Sequence, residues 1–216
     1  MIFVFAAVAI YFWDTAAIYP VKVFVVFLHE ISHGVAALLT GGKIIQIEVS
    51  QQIGGLCRTM GGSRFVVVSA GYLGSIIWGG LILILATRTR FSSIGSFILG
   101  LILLVITALY VRNSFGVIFG ICTGIAFIII AKYAPMIVNK LVLQFFGLVS
   151  CLYVLVDIKE DLFSLERRQT DAQLLADMTH IPSIIWAVLW MAVAILVLWK
   201  VLKYSHPDEP APEKLT

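Results

Sequence analysis

The stretch VVFLHEISHGVAALLTGG, Val25 to Gly42, decides how the chain must be read. With Val21 to Phe24 before it, it is an apolar run of membrane-helix length, yet His29, Glu30 and His33 stand in its middle. An acid at the centre of a membrane helix costs about 2.5–3.5 kcal/mol or more, so these side chains need a reason to be there. Residues i and i+4 lie one turn apart on one helix face. His29 and His33 can therefore grip one divalent ion. Glu30, on the same turn, can reach a water on that ion and take its proton. Composition alone would yield roughly 0.002 such HExxH patterns in a chain of this make-up. A metal and a water-filled cavity would offset the cost of burial. Gly41-Gly42 then closes the helix.

The rest of the chain suits a membrane. Of 216 residues, 61% are hydrophobic and only 12% charged, and the mean hydropathy is +1.03. A soluble domain carries about 25% charged residues. A water-soluble fold and a disordered chain are excluded. A nucleic-acid binder is disfavoured too, because the net charge is only +3 and the Lys and Arg residues are scattered at the ends of apolar runs. Apolar runs extend over Ile2–Ile18, Val21–Leu39, Arg64–Ala86, Ile94–Val111, Phe115–Ala131, Leu141 to about Val156, and Ile181–Trp199. The expected fold is an all-α integral membrane protein of six or seven transmembrane helices. It is expected as one membrane domain, residues 1–204, with a disordered polar tail, residues 205–216, that holds three prolines. Lys and Arg divide almost evenly between the two sides, so loop charge sets no orientation. Cys57, Cys122 and Cys151 form no disulfide framework. That, with no targeting signal visible, suits a prokaryotic cytoplasmic membrane.

One segment has a different period. In Lys43 to Ser50, Ile45, Ile47 and Val49 alternate with Gln46 and Glu48, which is strand patterning. Gly54-Gly55 supplies a turn, and Leu56 to Met60 returns. A small β-hairpin thus follows the HExxH helix. A helical substrate hides its peptide bonds, and a protease needs it extended. The strand Ile44 to Val49, with Ile45 and Ile47, can pair with such a segment by β-addition, or serve as a plain structural ribbon.

A catalytic zinc takes a third protein ligand and keeps a position open for water. His180 and His206 are poorly placed for it. Asp157 and Asp161, at i, i+4 spacing, end the sixth apolar run. Asp157 lies nearest the apolar segment and is the first choice, Asp161 the second. Asp171, in TDAQLLA, is the third, and can instead serve a helix start capped by Thr170. Tyr72 and Asn113 are candidate donors to a tetrahedral oxyanion, and Asn113, at a helix junction, can alternatively be a cap.

The HEISH helix followed by Gly41-Gly42 and a hairpin resembles the site-2-protease class of membrane-embedded zinc metallopeptidases. A compact branch of that class is similar to this chain at VVFLHEISHG, SAGYLGS, YVRNSFG, LYVLVDIKEDL, and TDAQLLA with IPSIIWAVLW, together spanning about Val25 to Trp190. The resemblance implies an endopeptidase that cuts peptide bonds within or beside the bilayer. Its zinc would be held by His29, His33 and an aspartate of a later helix, with Glu30 activating water and a membrane protein or peptide as substrate. The class commonly takes that aspartate from an Asp-Gly motif. Here Asp157 precedes Ile158 and no Asp-Gly occurs. No PDZ-like or CBS-like regulatory segment is visible. The competing expectation is a non-catalytic scaffold or binding protein with a metal-stapled helix. A metal transporter fits less well, because no ladder of further intramembrane ligands follows.

Overall fold

The computed structural model describes residues 2–163 and 170–205, with side chains over 4–160 and 170–205. The elements in chain order are α1 (Ile2–Tyr11), α2 (Tyr19–Leu39), β1 (Lys43–Val49), β2 (Gly55–Met60), α3 (Arg64–Arg88), α4 (Ser92–Tyr110), α5 (Ser114–Tyr133), α6 (Met136–Phe163), α7 (Asp171–Thr179) and α8 (Ser183–Ser205). Six helices are long and apolar enough to cross a membrane: α2, α3, α4, α5, α6 and α8. The first apolar run, expected as a span, is not among them within the described residues. Its helix stops at Tyr11, where the Thr15 N–H and hydroxyl both close on the Phe12 carbonyl, at 2.9 and 2.7 Å. Ten residues of helix reach about 15 Å, half of a hydrocarbon core about 30 Å thick. The expected polar tail lies outside the described residues except for Ser205, which ends α8.

Helix α2 is the centre of the bundle. Val23, Phe24, Val25, Phe27 and Leu28 have no exposed surface. Lipid tails are as apolar as leucine, so membrane helices associate through close packing rather than exclusion from water. The sequence provides for that with glycine. A Cβ on Gly147 of α6 would lie 2.7 Å from the Leu83 nitrogen of α3, and one on Gly79 would lie 2.9 Å from the Cys151 nitrogen. The α4–α5 pair meets in the same way, with Gly100 against the Gly124 carbonyl. Phe24, Phe127 and Phe146 join α2, α5 and α6, their ring centroids 5.0–5.7 Å apart.

The hairpin forms where expected. Gly41, at φ +84°, ends α2 in the left-handed region, and the Gly42 N–H returns to the Ala37 carbonyl at 2.7 Å. Strands β1 and β2 run antiparallel, with Ile47 opposite Cys57 and Val49 opposite Gly55. The far side of β1 is also engaged. Ile47 bridges Val111, its carbonyl accepts the Arg112 N–H at 3.1 Å, and Asn113 bonds to Val49. So β1 is the inner strand and β2 the edge.

Candidate metal centre

The helical repeat of α2 brings His29 and His33 together, ring centroids 4.8 Å apart. Helix α3 then orients both rings. His33 Nδ1 lies 2.7 Å from the Val67 carbonyl oxygen. A carbonyl only accepts, so Nδ1 carries a proton and Nε2 is the nitrogen turned to the cavity. His29 Nδ1 lies 3.4 Å from the Ser75 hydroxyl, whose own proton goes to the Gly71 carbonyl at 2.9 Å. Ser75 is therefore an acceptor for His29, and the second Nε2 is turned in the same sense.

Both Nε2 nitrogens face one carboxylate oxygen. Asp171 Oδ2 is 3.3 Å from His29 Nε2 and 3.4 Å from His33 Nε2. That oxygen is buried, with the two imidazoles against it. With each imidazole in its neutral Nδ1–H form, three lone pairs would converge there, a donor set suited to sharing one cation. A tetrahedral ion with bonds of about 2.0–2.1 Å sets its ligand atoms roughly 3.3–3.4 Å apart. The donor set is therefore compatible with a bound metal ion. Among the described residues, His29, His33 and Asp171 are the group of potential ligands able to share one ion.

Asp171 reaches the centre as the first residue of α7, with Thr170 as the cap that accepts from the Gln173 N–H at 3.2 Å. The helix-start and metal-ligand readings of Asp171 are therefore compatible. Asp157, first choice by sequence, lines the same cavity from α6, but the carboxylate brought between the two imidazoles is that of Asp171. Asp161 falls outside the described side chains.

Glu30 is buried with 5% of its surface exposed, on the hairpin side of α2. A Cβ on Gly55 would overlap its carboxylate, and the Cys57 backbone N–H donates to it. Metal ligands and prospective base thus rest on different supports. A cavity of about 550 Å³ opens onto His29, Glu30, His33 and Asp171, walled by Val67, Tyr72 and β2. Tyr72 also packs edge-on against His29, with centroids 5.6 Å apart.

The other sequence candidates lie elsewhere. Ile47 is fully buried and flanked by Cys57 on one side and Val111 on the other, while Ile45 is half-exposed on β1. Asn113 holds the hairpin and is not among the residues lining the cavity. Sequence reasoning used SAGYLGS for its resemblance and for Tyr72, and gave Gly71 no part in the site. Gly71 instead faces the metal ligands, since a Cβ there would overlap Asp171 Oδ2 and His29 Nε2. A serine four residues after a glycine in an apolar helix was the available signal for Ser75.

A family model described as Peptidase M50B-like matches residues 2–201. No curated protein and no solved structure matches the chain.

Proposed function

This chain belongs to the Peptidase M50B-like family, of the site-2-protease class, and from that premise we propose that it is a zinc-dependent endopeptidase cutting peptide bonds within or next to the bilayer. The six apolar spans agree with an integral, multi-pass member of a membrane peptidase family. The observation that carries the proposal is the buried Asp171 oxygen held 3.3 and 3.4 Å from two imidazole Nε2 atoms whose Nδ1 atoms are turned to α3. His29, His33 and Asp171 would hold the zinc. When bound, it acidifies a water and polarises the scissile carbonyl. Glu30 takes the proton from the attacking water as the oxygen bonds to the carbonyl carbon. It then delivers that proton to the leaving amine nitrogen as the C–N bond breaks.

A substrate must be unwound to be cut. The edge available to it is β2, since the outer side of β1 is occupied by Val111 to Asn113. An extended segment added to β2 would lie along the cavity wall beside Glu30. Tyr72 remains the candidate oxyanion donor. The cavity reaching both histidines supports an enzyme over a metal-stapled scaffold, which has no use for access.

The test is metal content and proteolysis of the purified protein, followed with fluorescein-labelled casein. About one zinc per chain is expected in the wild type. His29→Ala and Asp171→Asn should lose metal and activity, and Asp157→Asn should keep its metal. Glu30→Gln should keep zinc and lose cleavage. Retained cleavage by Glu30→Gln would sink the mechanism, and absence of metal in the wild type would sink the zinc peptidase and the metal-stapled scaffold alike.

A further inference from the structure

We infer that Asn113, remote from the cavity, is a positioning residue for Glu30 and acts through the hairpin. Asn113 precedes α5, at the junction that α4 enters from the other side. Its Oδ1 accepts the Val49 N–H at 3.1 Å, and its Nδ2 donates to the Val49 carbonyl at 2.6 Å. One side-chain amide thus satisfies both backbone groups of the last residue of β1, as a third strand would. Only an amide does this. A carboxylate accepts but cannot donate, and leucine, of similar shape, does neither.

The next links are equally direct. Val49 is the register partner of Gly55. Gly55 lies so close to Glu30 that a Cβ would overlap its carboxylate. Two residues along β2, the Cys57 N–H donates to that same carboxylate. The path from Asn113 to Glu30 therefore runs through Val49 and Gly55 and touches no metal ligand. The seat of Asn113 is itself constrained, because a Cβ on Gly116 would lie 2.7 Å from Oδ1. The Arg112 N–H to Ile47 carbonyl bond alongside, 3.1 Å, fixes the register. At its other end the hairpin is bounded by Gly41, Gly61 and Gly62, all at positive φ, the backbone least able to hold an angle by itself. The clamp at Val49 thus fixes the end of the hairpin that carries Gly55. It accounts for the polar Asn113 in YVRNSFG with no part in binding the ion.

The inference rests on Glu30 as the base, so the test carries a readout that needs no activity. Asn113→Leu, Asn113→Asp and Gly55→Ala are made in the full chain and purified in detergent. Zinc per chain, kcat and KM on fluorescein-labelled casein, and the alkylation rate of Cys57 by peptide-resolved mass spectrometry are compared. Asn113→Leu should keep its zinc and its KM. Its kcat should fall roughly tenfold to a hundredfold, the scale of loss expected from a base misplaced by about an ångström. Cys57, on the loosened strand, should alkylate roughly tenfold faster. Asn113→Asp, which keeps one of the two bonds, should lie between and serves if the leucine variant does not fold. Adding Gly55→Ala to Asn113→Leu should cost less than the two losses multiplied, since both act on Glu30 by one route. An unchanged kcat, a fall in kcat matched by loss of zinc, a rise in KM alone, or an unchanged Cys57 rate would each overturn the inference. Should the wild type prove inactive, the peptidase reading falls by itself, and the Cys57 rates still decide whether Asn113 holds β2.

Discussion

The two sides of α2 are built on different principles. On the side of α3, the support is another membrane helix. It offers a backbone carbonyl to His33, a hydroxyl to His29, and at Gly71 an empty place where ligand atoms fit. On the side of β2, the support is a strand whose backbone presses on Glu30 and is tied down from the far end of the hairpin. The first support is rigid because helix packing is continuous along its length. The second is rigid only while its remote tie holds. Ion binding and proton transfer should therefore fail separately.

The largest test of that contrast is a pair of identical changes. Gly71→Ala places a methyl group into Asp171 Oδ2 and His29 Nε2, whereas Gly55→Ala places one against Glu30. The first should abolish metal binding and activity together. The second should leave about one zinc per chain and lower kcat roughly a hundredfold. Metal analysis beside kinetics reads both, and loss of metal from Gly55→Ala would erase the distinction. A smaller effect is expected within the α3 side. Ser75→Ala removes the acceptor of His29 Nδ1 and should weaken zinc roughly tenfold in a competition titration with a chelator. His33 leans on a main-chain carbonyl that side-chain substitution cannot remove. The smallest effect concerns the β2 side. Burial, and then the charge of Glu30, push the Cys57 thiol up from 9.0 to about 12. The thiol stays protonated as pH rises through the ordinary cysteine range near 8.5. Its alkylation should be much slower in the folded protein than in denatured chain at pH 8, and should still climb above pH 10. A plateau near pH 9 would show that β2 does not shield it.

What could be read beforehand follows the range of the signal. HEISH was legible because i, i+4 spacing is a property of one helix. The hairpin was legible because alternation is a property of one strand. The Ile2–Ile18 run misled, since hydropathy does not register the turn that Thr15 closes on Phe12. The order of the two strands was not legible either. Whether β1 or β2 is the edge depends on Val111 to Asn113, more than sixty positions beyond β1. Asp171 was among the three acids considered, but nearness to an apolar run ranked it last. The packing of α7 against α3 and α8 gives it its place.

That place has a consequence for how the protein is made. His29, Glu30 and His33 lie on α2, while Asp171 follows only after four further spans, α3 to α6. A nascent chain halted anywhere before α7 holds the two histidines and Glu30 without the third prospective ligand, Asp171. On the proposed ligand set, the centre is complete only once α7 has followed the last of those spans.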